Sequence, residues 1–433
     1  MSSVLSNLEY IKYLEPHLAL KIVEFLIKQN STEEVKNLYK NLSIKTRNFE
    51  KIESEKFMSE SELNELKSKN DSEIKKFEER LKGFLNLSEN CEKQKTHDLN
   101  FFSLGKKIIE QTSPVDVLQY STRLFDSKNF EKACIILNSF SIFYDNSQKT
   151  KSKAIYALYL LYSIKAYIGE NPEQISEKFV KIAKNIDKLK NIFDSSFKKA
   201  DFDSVDKVQV DFKEILLYRG YLLHWALFMI KYNNALFLDT LFDDKYFSLI
   251  ESSFLYLFKY LIVFSVINYS RKNLNKLKDA ILKKKNFINE HKDCFIVLLE
   301  NILVNFNSKD AMKNLEDCKN LMKNDYFLYE YIEQFEKKIK EFILENHLIL
   351  NECINIDDIK LLYNDNEEET KKNLINYIEY FYPNAKIKEE GKKILYEVDD
   401  EEINNYYKIK TDDLYSLTKT MVEFFKENKN NNN

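Results

Sequence analysis

Five glycines and four prolines are spread over 433 residues, roughly a sixth of the ~12% combined share of an average protein. Turns that need a positive or preset φ are therefore scarce, which argues against a barrel or sandwich of many strands. The expectation is a chain that is nearly all helix. Its 44% hydrophobic residues, with 32 Phe and 27 Tyr, supply a large core. The 66 basic residues almost cancel the 69 acidic ones, so global charge gives no reason to expect strong nonspecific nucleic-acid binding.

Cys91, Cys134, Cys294, Cys318 and Cys353 form no Cys-x-x-Cys pair, a pattern that suits a reducing compartment. The start, Met1-Ser2-Ser3-Val4, shows no basic region before an apolar run, so no secretory signal is expected and the location expected is cytoplasmic. The most hydrophobic window, Phe254 to Ile267, includes Lys259 and is shorter than the ~20 residues a membrane span needs. It reads as a buried core helix, with no membrane partner.

Leu8, Ile11, Leu14, Leu18, Ile22, Phe25 and Leu26 recur every three or four residues, as one apolar helix face requires. A second helix is expected at about 32–42. Residues 45–80 are rich in Glu and Lys and read as a solvated helix or a mobile linker. Tyr120, Leu124 and Phe125 before Lys128-Asn129, with Phe130, Ala133 and Leu137 after it, describe a helical hairpin. Ala133 lets two backbones approach, and Phe130 fills the elbow. Helices continue to about 350 without a strict 34-residue period, so degenerate helical pairs in a right-handed stack are expected.

After residue 353 the pattern changes. Ile354–Tyr363 reads as a short helix and Glu367–Phe381 as a second, with Leu374, Ile375 and Ile378 inward. Ala385–Lys388 and Lys393–Val398 then alternate with period two around Gly391, which predicts a β-hairpin. Helices closed by a hairpin form a winged helix. A last helix is expected at about 411–427, before an Asn-rich tail.

Chemistry is hard to find. The glycines Gly83, Gly105, Gly169, Gly220 and Gly391 are too far apart to cradle a phosphate. His17, His97, His224, His291 and His347 pair with no His or Cys at ligand spacing, so neither metal nor cofactor is expected. His224 beside the only tryptophan, Trp225, sits in an apolar run and reads as a hydrogen-bonded structural histidine, with Trp225 a core anchor. Cys294, Cys318 and Cys353 read as small hydrophobes on apolar helix faces. Glu367-Glu368-Glu369 opens the second winged-helix helix and would repel phosphate, which argues against DNA reading. Lys386, Lys388, Lys392 and Lys393 offer a weak RNA contact, or serve as a solvated wing that protects an edge strand.

Helical pairs ending in a winged helix look like the PCI module of the proteasome lid, the signalosome and initiation factor 3. Ile11-Lys12-Tyr13-Leu14-Glu15-Pro16-His17-Leu18, Leu222-Leu223-His224-Trp225-Ala226-Leu227-Phe228, Lys276-Leu277-Lys278-Asp279, Asn324-Asp325-Tyr326-Phe327-Leu328 and Cys353-Ile354-Asn355-Ile356 follow one another in an order similar to the e subunits of eukaryotic translation initiation factor 3. The resemblance covers about 8–42 and 115–425, and residues 45–105 match poorly. It implies a non-catalytic scaffold with the c and l subunits flanking, the d subunit docking, and the small ribosomal subunit beneath.

The organisation expected is N-terminal helices at 1–44, a charged segment at 45–105, a helical-repeat array at 106–350, a winged helix at 351–403, an assembly helix at 404–427 and a tail at 428–433. Interface residues are expected on the hairpin, at Ile387, Ile394 and Tyr396. Others are expected on two stripes of the last helix, at Leu414, Leu417, Met421 and Phe424 and at Tyr415, Val422 and Phe425. Two rival readings remain: a lid or signalosome subunit, and an RNA-binding winged-helix protein acting alone.

Overall fold

The computed structural model describes residues 9–29, 32–93, 105, 107–108, 111–144, 151–169, 190, 212–231, 234–283, 293–350, 353–357, 359, 367–381, 385–390 and 393–397. Among the described residues the fold is all-helical apart from one three-stranded antiparallel sheet. The chain divides into two compact units, one drawn from Met1–Asn268 with Asn320–Ile332 and the other from Tyr269–Lys319 with Glu333–Asn433.

The first unit contains α1 (Pro16–Gln29), α2 (Glu33–Lys45), α3 (Phe49–Ser54), α4 (Glu60–Arg80), α5 (Lys82–Lys93), α6 (Pro114–Asp126), α7 (Phe130–Tyr144), α8 (Lys151–Gly169), α9 (Phe212–Phe228), α10 (Asn234–Leu241), α11 (Asp244–Ser253) and α12 (Phe258–Ile267). Side chains close the helix starts. Thr32, Asn48 and Ser113 each accept an N–H from the first turn, and Ser59 with Glu62 completes a capping box.

The helix ends depart from expectation. Arg47, Lys56, Lys128, Tyr269 and Phe306 adopt positive φ, although none is glycine. After α2, α3 and α6 the turn is a Schellman motif: the amide of Lys128 donates to the Phe125 carbonyl at 3.0 Å and that of Asn129 to Leu124 at 2.8 Å, and the same pairs recur at Arg47–Asn48 and Lys56–Phe57. Left-handed backbone costs an L-residue ~1–2 kcal/mol. A cationic side chain beside the carbonyl-rich end of a helix offsets part of that cost. The hairpin expected around Lys128-Asn129 is thus α6–α7, with Ala133 fully buried and the Phe130 ring edge-on to Phe125 at 5.8 Å.

The charged stretch after residue 45 is helical, and it is tied down. Arg47 donates to Asn70 at 2.5 Å and to Glu73 at 2.7 Å. Arg123 of α6 reaches the same Glu73 at 3.1 Å and Asp126 at 3.0 Å. Glu78 accepts from Tyr120 at 2.8 Å and from Lys132 at 2.9 Å. The Asp126 carboxylate lies 3.5 Å from His17, and burial pushes its pKa up to about 6 despite His17 and Arg123. A helix whose carboxylates meet arginines from its neighbours is docked, not a free linker.

The apolar window resolves into a 3₁₀ turn, Leu255–Leu257, and α12, of which Phe258 to Val266 are all buried. Lys259 is held by Asp325 at 2.7 Å, and Asp325 also accepts from Tyr260 at 2.9 Å. Among the described residues no single helix is long and apolar enough to cross a membrane, and the one pair that reaches the length, Asp244–Ser253 with Leu255–Ile267, is bent by 115°.

The second unit contains α13 (Arg271–Lys283), α14 (Cys294–Leu303), α15 (Ser308–Lys323) up to Lys319, α16 (Ile332–Leu350) from Glu333, β1 (Cys353–Asn355), α17 (Glu367–Phe381), β2 (Lys386–Glu390) and β3 (Lys393–Glu397). Phe295 of α14 meets Phe335 of α16 at 6.3 Å, and Lys319 of α15 pairs with Glu336 at 2.6 Å. The Asn346 amide donates to the Ile302 carbonyl at 2.8 Å, tying α16 to α14.

Candidate interaction surface

The sheet has the order β1–β3–β2, so β3 is its central strand. In the antiparallel register Ile354 faces Ile394, and Ile387 faces Tyr396. Successive strand residues point to opposite faces, which puts Ile394 and Tyr396 together on the inner face. Both are buried, with Ile354, Ile356, Leu374 and Ile378. The Tyr396 hydroxyl donates to the Leu348 carbonyl of α16, and Tyr377 of α17 donates to the Glu341 carbonyl at 3.3 Å. Two tyrosines thereby fasten the strand and helix to α16.

The expected interface residues separate here. Ile394 and Tyr396 lie on the central strand with their side chains buried in the unit's own core. Ile387 is half-buried in β2. Among the described residues β1 and β2 each pair only with β3, so the outer edge of either strand could accept a further one, that of β2 included. Lys386, Lys388 and Lys393 are exposed, interleaved with exposed Glu389 and Glu390. Lys371 of α17 reaches Glu389 at 2.6 Å, and the register sets Lys393 opposite Glu390. Acid therefore dilutes the basic surface. Lys392 and the last-helix residues Leu414, Tyr415, Leu417, Met421, Val422, Phe424 and Phe425 lie outside the described residues.

β1 also corrects the reading of residue 354 as the start of a helix, and of Cys353 as a helical residue. Ile354 and Ile356 alternate with period two, a signal present in the sequence but too short to separate from a helix without the β3 partner.

His224 is a buried side chain that invites a catalytic reading. Its Nδ1 lies 2.6 Å from the Gly220 carbonyl, which can only accept, so Nδ1 carries the proton. Nε2 is then the acceptor, and the Tyr256 hydroxyl donates to it. The ring stacks on Tyr13 at a centroid distance of 4.4 Å. Burial pulls the His224 pKa down to about 4, so the imidazole is neutral, committed at both nitrogens and enclosed. Gly220 permits this closure, since a Cβ there would meet the Phe254 ring at 3.2 Å and Tyr13 at 3.3 Å. Trp225 beside it is fully buried, as expected of a core anchor. Among the described residues no group of three or more His, Cys, Asp or Glu side chains could hold a metal ion.

A mostly helical chain that passes from a long helix into a strand, a helix and a hairpin has the order of the PCI class. Known proteins narrow the class. The chain is similar to the E subunit of eukaryotic translation initiation factor 3 from Anopheles gambiae, 26% identical over 179 residues that make up 40% of this chain and 41% of that one. The same protein of Aspergillus niger is 27% identical over 178 residues, 39% of each chain. That of Dictyostelium discoideum is 25% identical over 176 residues, 39% of this chain and 34% of the relative. The chain spans about two fifths of the length of the curated relatives it matches. No family model matches it.

Proposed function

We propose that this chain is a non-catalytic scaffold component of eukaryotic initiation factor 3. It holds its neighbours through the outer edge of β2 and through the helix expected at 411–427, while the small ribosomal subunit recruits messenger RNA. The c and l subunits flank it and the d subunit docks on it. The carrying observation is the similarity to E-subunit proteins from an insect, a fungus and an amoeba alike. The open edge of β2 supports it physically, because unpaired N–H and C=O groups can extend a sheet into a partner. Any RNA contact at Lys386, Lys388 or Lys393 is weak, since neighbouring glutamates cancel part of the field.

The test is recovery of the endogenous protein from cell extract, followed by mass spectrometry and gradient sedimentation. Other factor 3 subunits and co-sedimentation with small ribosomal subunits are the expected result. Recovery of proteasome-lid or signalosome subunits in their place would sink the assignment, and salt-sensitive RNA binding by a chain that brings down no partner would favour a stand-alone RNA-binding role.

A further inference from the structure

Two cysteines that are 24 positions apart in the chain meet between α14 and α15: the Cys318 thiol donates to the Cys294 sulfur, with the sulfurs 3.2 Å apart. Cys294 opens α14 after the Asp293 cap, and its side chain is half-exposed. Cys318 is buried on the inner stripe of α15 with Ala311 and Leu315. A disulfide needs sulfurs ~2.05 Å apart, so closing the bond requires an approach of about one ångström, within reach of small χ rotations. Packing as small hydrophobes does not require the two sulfurs to face each other. The antiparallel path of α14 and α15 brings the first turn of one beside the third turn of the other, and each helix presents its thiol at that level.

We propose that Cys294 and Cys318 form a redox-modification site that takes up a low-molecular-weight disulfide of the glutathione type and closes reversibly into an intramolecular bridge. The Cys294 sulfur, the accessible one, attacks the small disulfide as thiolate, forming a mixed disulfide and releasing one glutathione thiolate. Cys318 then attacks the Cys294 sulfur, passing its proton to solvent, and a second glutathione leaves. Two protein thiols are oxidised while one glutathione disulfide is reduced to two thiols, so electrons and protons balance. Burial beside the Cys294 sulfur pushes the Cys318 thiol pKa up, which makes it the poorer nucleophile and leaves the first attack to the accessible Cys294; in the second step its closeness to the Cys294 sulfur makes up for the small thiolate fraction. The bridge staples the α14–α15 hairpin, and Lys319, next to Cys318, carries the ion pair to Glu336 of α16. Oxidation is thus felt in the helix that bears the sheet.

The purified full chain is incubated with glutathione disulfide, alkylated with iodoacetamide and digested with trypsin without reductant. The expected product is a peptide of residues 293–309 joined to one of residues 314–319 and released by dithiothreitol, with thiols titratable in denaturant falling from five to three. Cys318→Ser, or Cys318→Ala if the serine does not fold, should stop at a stable glutathione adduct on Cys294. The proposal is overturned if both peptides stay fully alkylated, if wild-type Cys294 stops at the adduct, or if the bridges formed join other cysteines or separate chains.

Discussion

The surroundings of Trp225 and the small C-terminal sheet are both built on aromatic anchors, yet they are closed to different extents. From Leu222 to Ile230 every residue is buried, and even the polar His224 commits both ring nitrogens inside the protein. In the sheet, Ile394 and Tyr396 turn inward while β2 carries exposed residues on one strand and half-buried Ile387 beside them. The first region is finished by its own chain. The second is finished on one face, with an edge to spare among the described residues. The first region is enclosed on all sides, although the Trp225 indole N–H finds no hydrogen-bond partner there, whereas the outer side of β2 has no strand beside it among the described residues.

The sharpest way to break this comparison is Trp225→Ala. Removing a fully buried indole from a closed core should cost about 3–5 kcal/mol, read as a lowered urea midpoint. A loss under about 1 kcal/mol would mean that the region collapses around the gap and is not rigidly packed.

A somewhat smaller effect follows from pH. The folded His224 takes up a second ring proton only below about 4, whereas an unfolded histidine does so near 6.5. Between those values the unfolded chain binds more protons, so stability is fully present above pH 6.5 and falls as pH falls, by on the order of 3 kcal/mol. His17 contributes with the opposite sign. Burial lowers its pKa, but Glu15 and Asp126 more than offset this and hold it above the ordinary value, so its contribution is present at low pH and is lost as pH rises. Comparing wild type with His224→Gln cancels the His17 part. A difference between the two profiles that does not change from pH 7 to pH 4 would show that the imidazole is not sealed.

The smallest expected change in stability, with a large change in assembly, is deletion of residues 411–433. Helicity and the denaturation midpoint should stay close to wild type, while incorporation into the partner complex drops sharply. Unfolding of the shortened chain would assign the apolar stripes of that segment to the protein's own core.

Local signals in the chain were enough for the helical class, for the hairpin turn at Lys128-Asn129, for a helix over Glu367–Phe381 and for the β2–β3 pair. Each depends on residues close in sequence: periodicity of three to four, alternation of two, or a turn between apolar runs. The signal was weaker where one local pattern served two ends. The charged α4 looked like a solvated helix or a linker because its arginine partners, Arg47 and Arg123, come from other elements.

What the tertiary structure alone decided is pairing at long range. Cys353–Asn355 becomes a strand because β3 lies about 40 residues further on to receive it. That third strand moves Ile394 and Tyr396 from an edge to the centre and leaves β1 and β2 as the outer strands among the described residues. Cys294 and Cys318 share a level between two helices, which spacing along the chain does not encode. The proton on His224 is set by a carbonyl one turn away and a tyrosine from the next element. Periodicity reports which face of an element is apolar, whereas the neighbour that covers that face, and the polar groups it brings, are known only once the chain has folded back on itself.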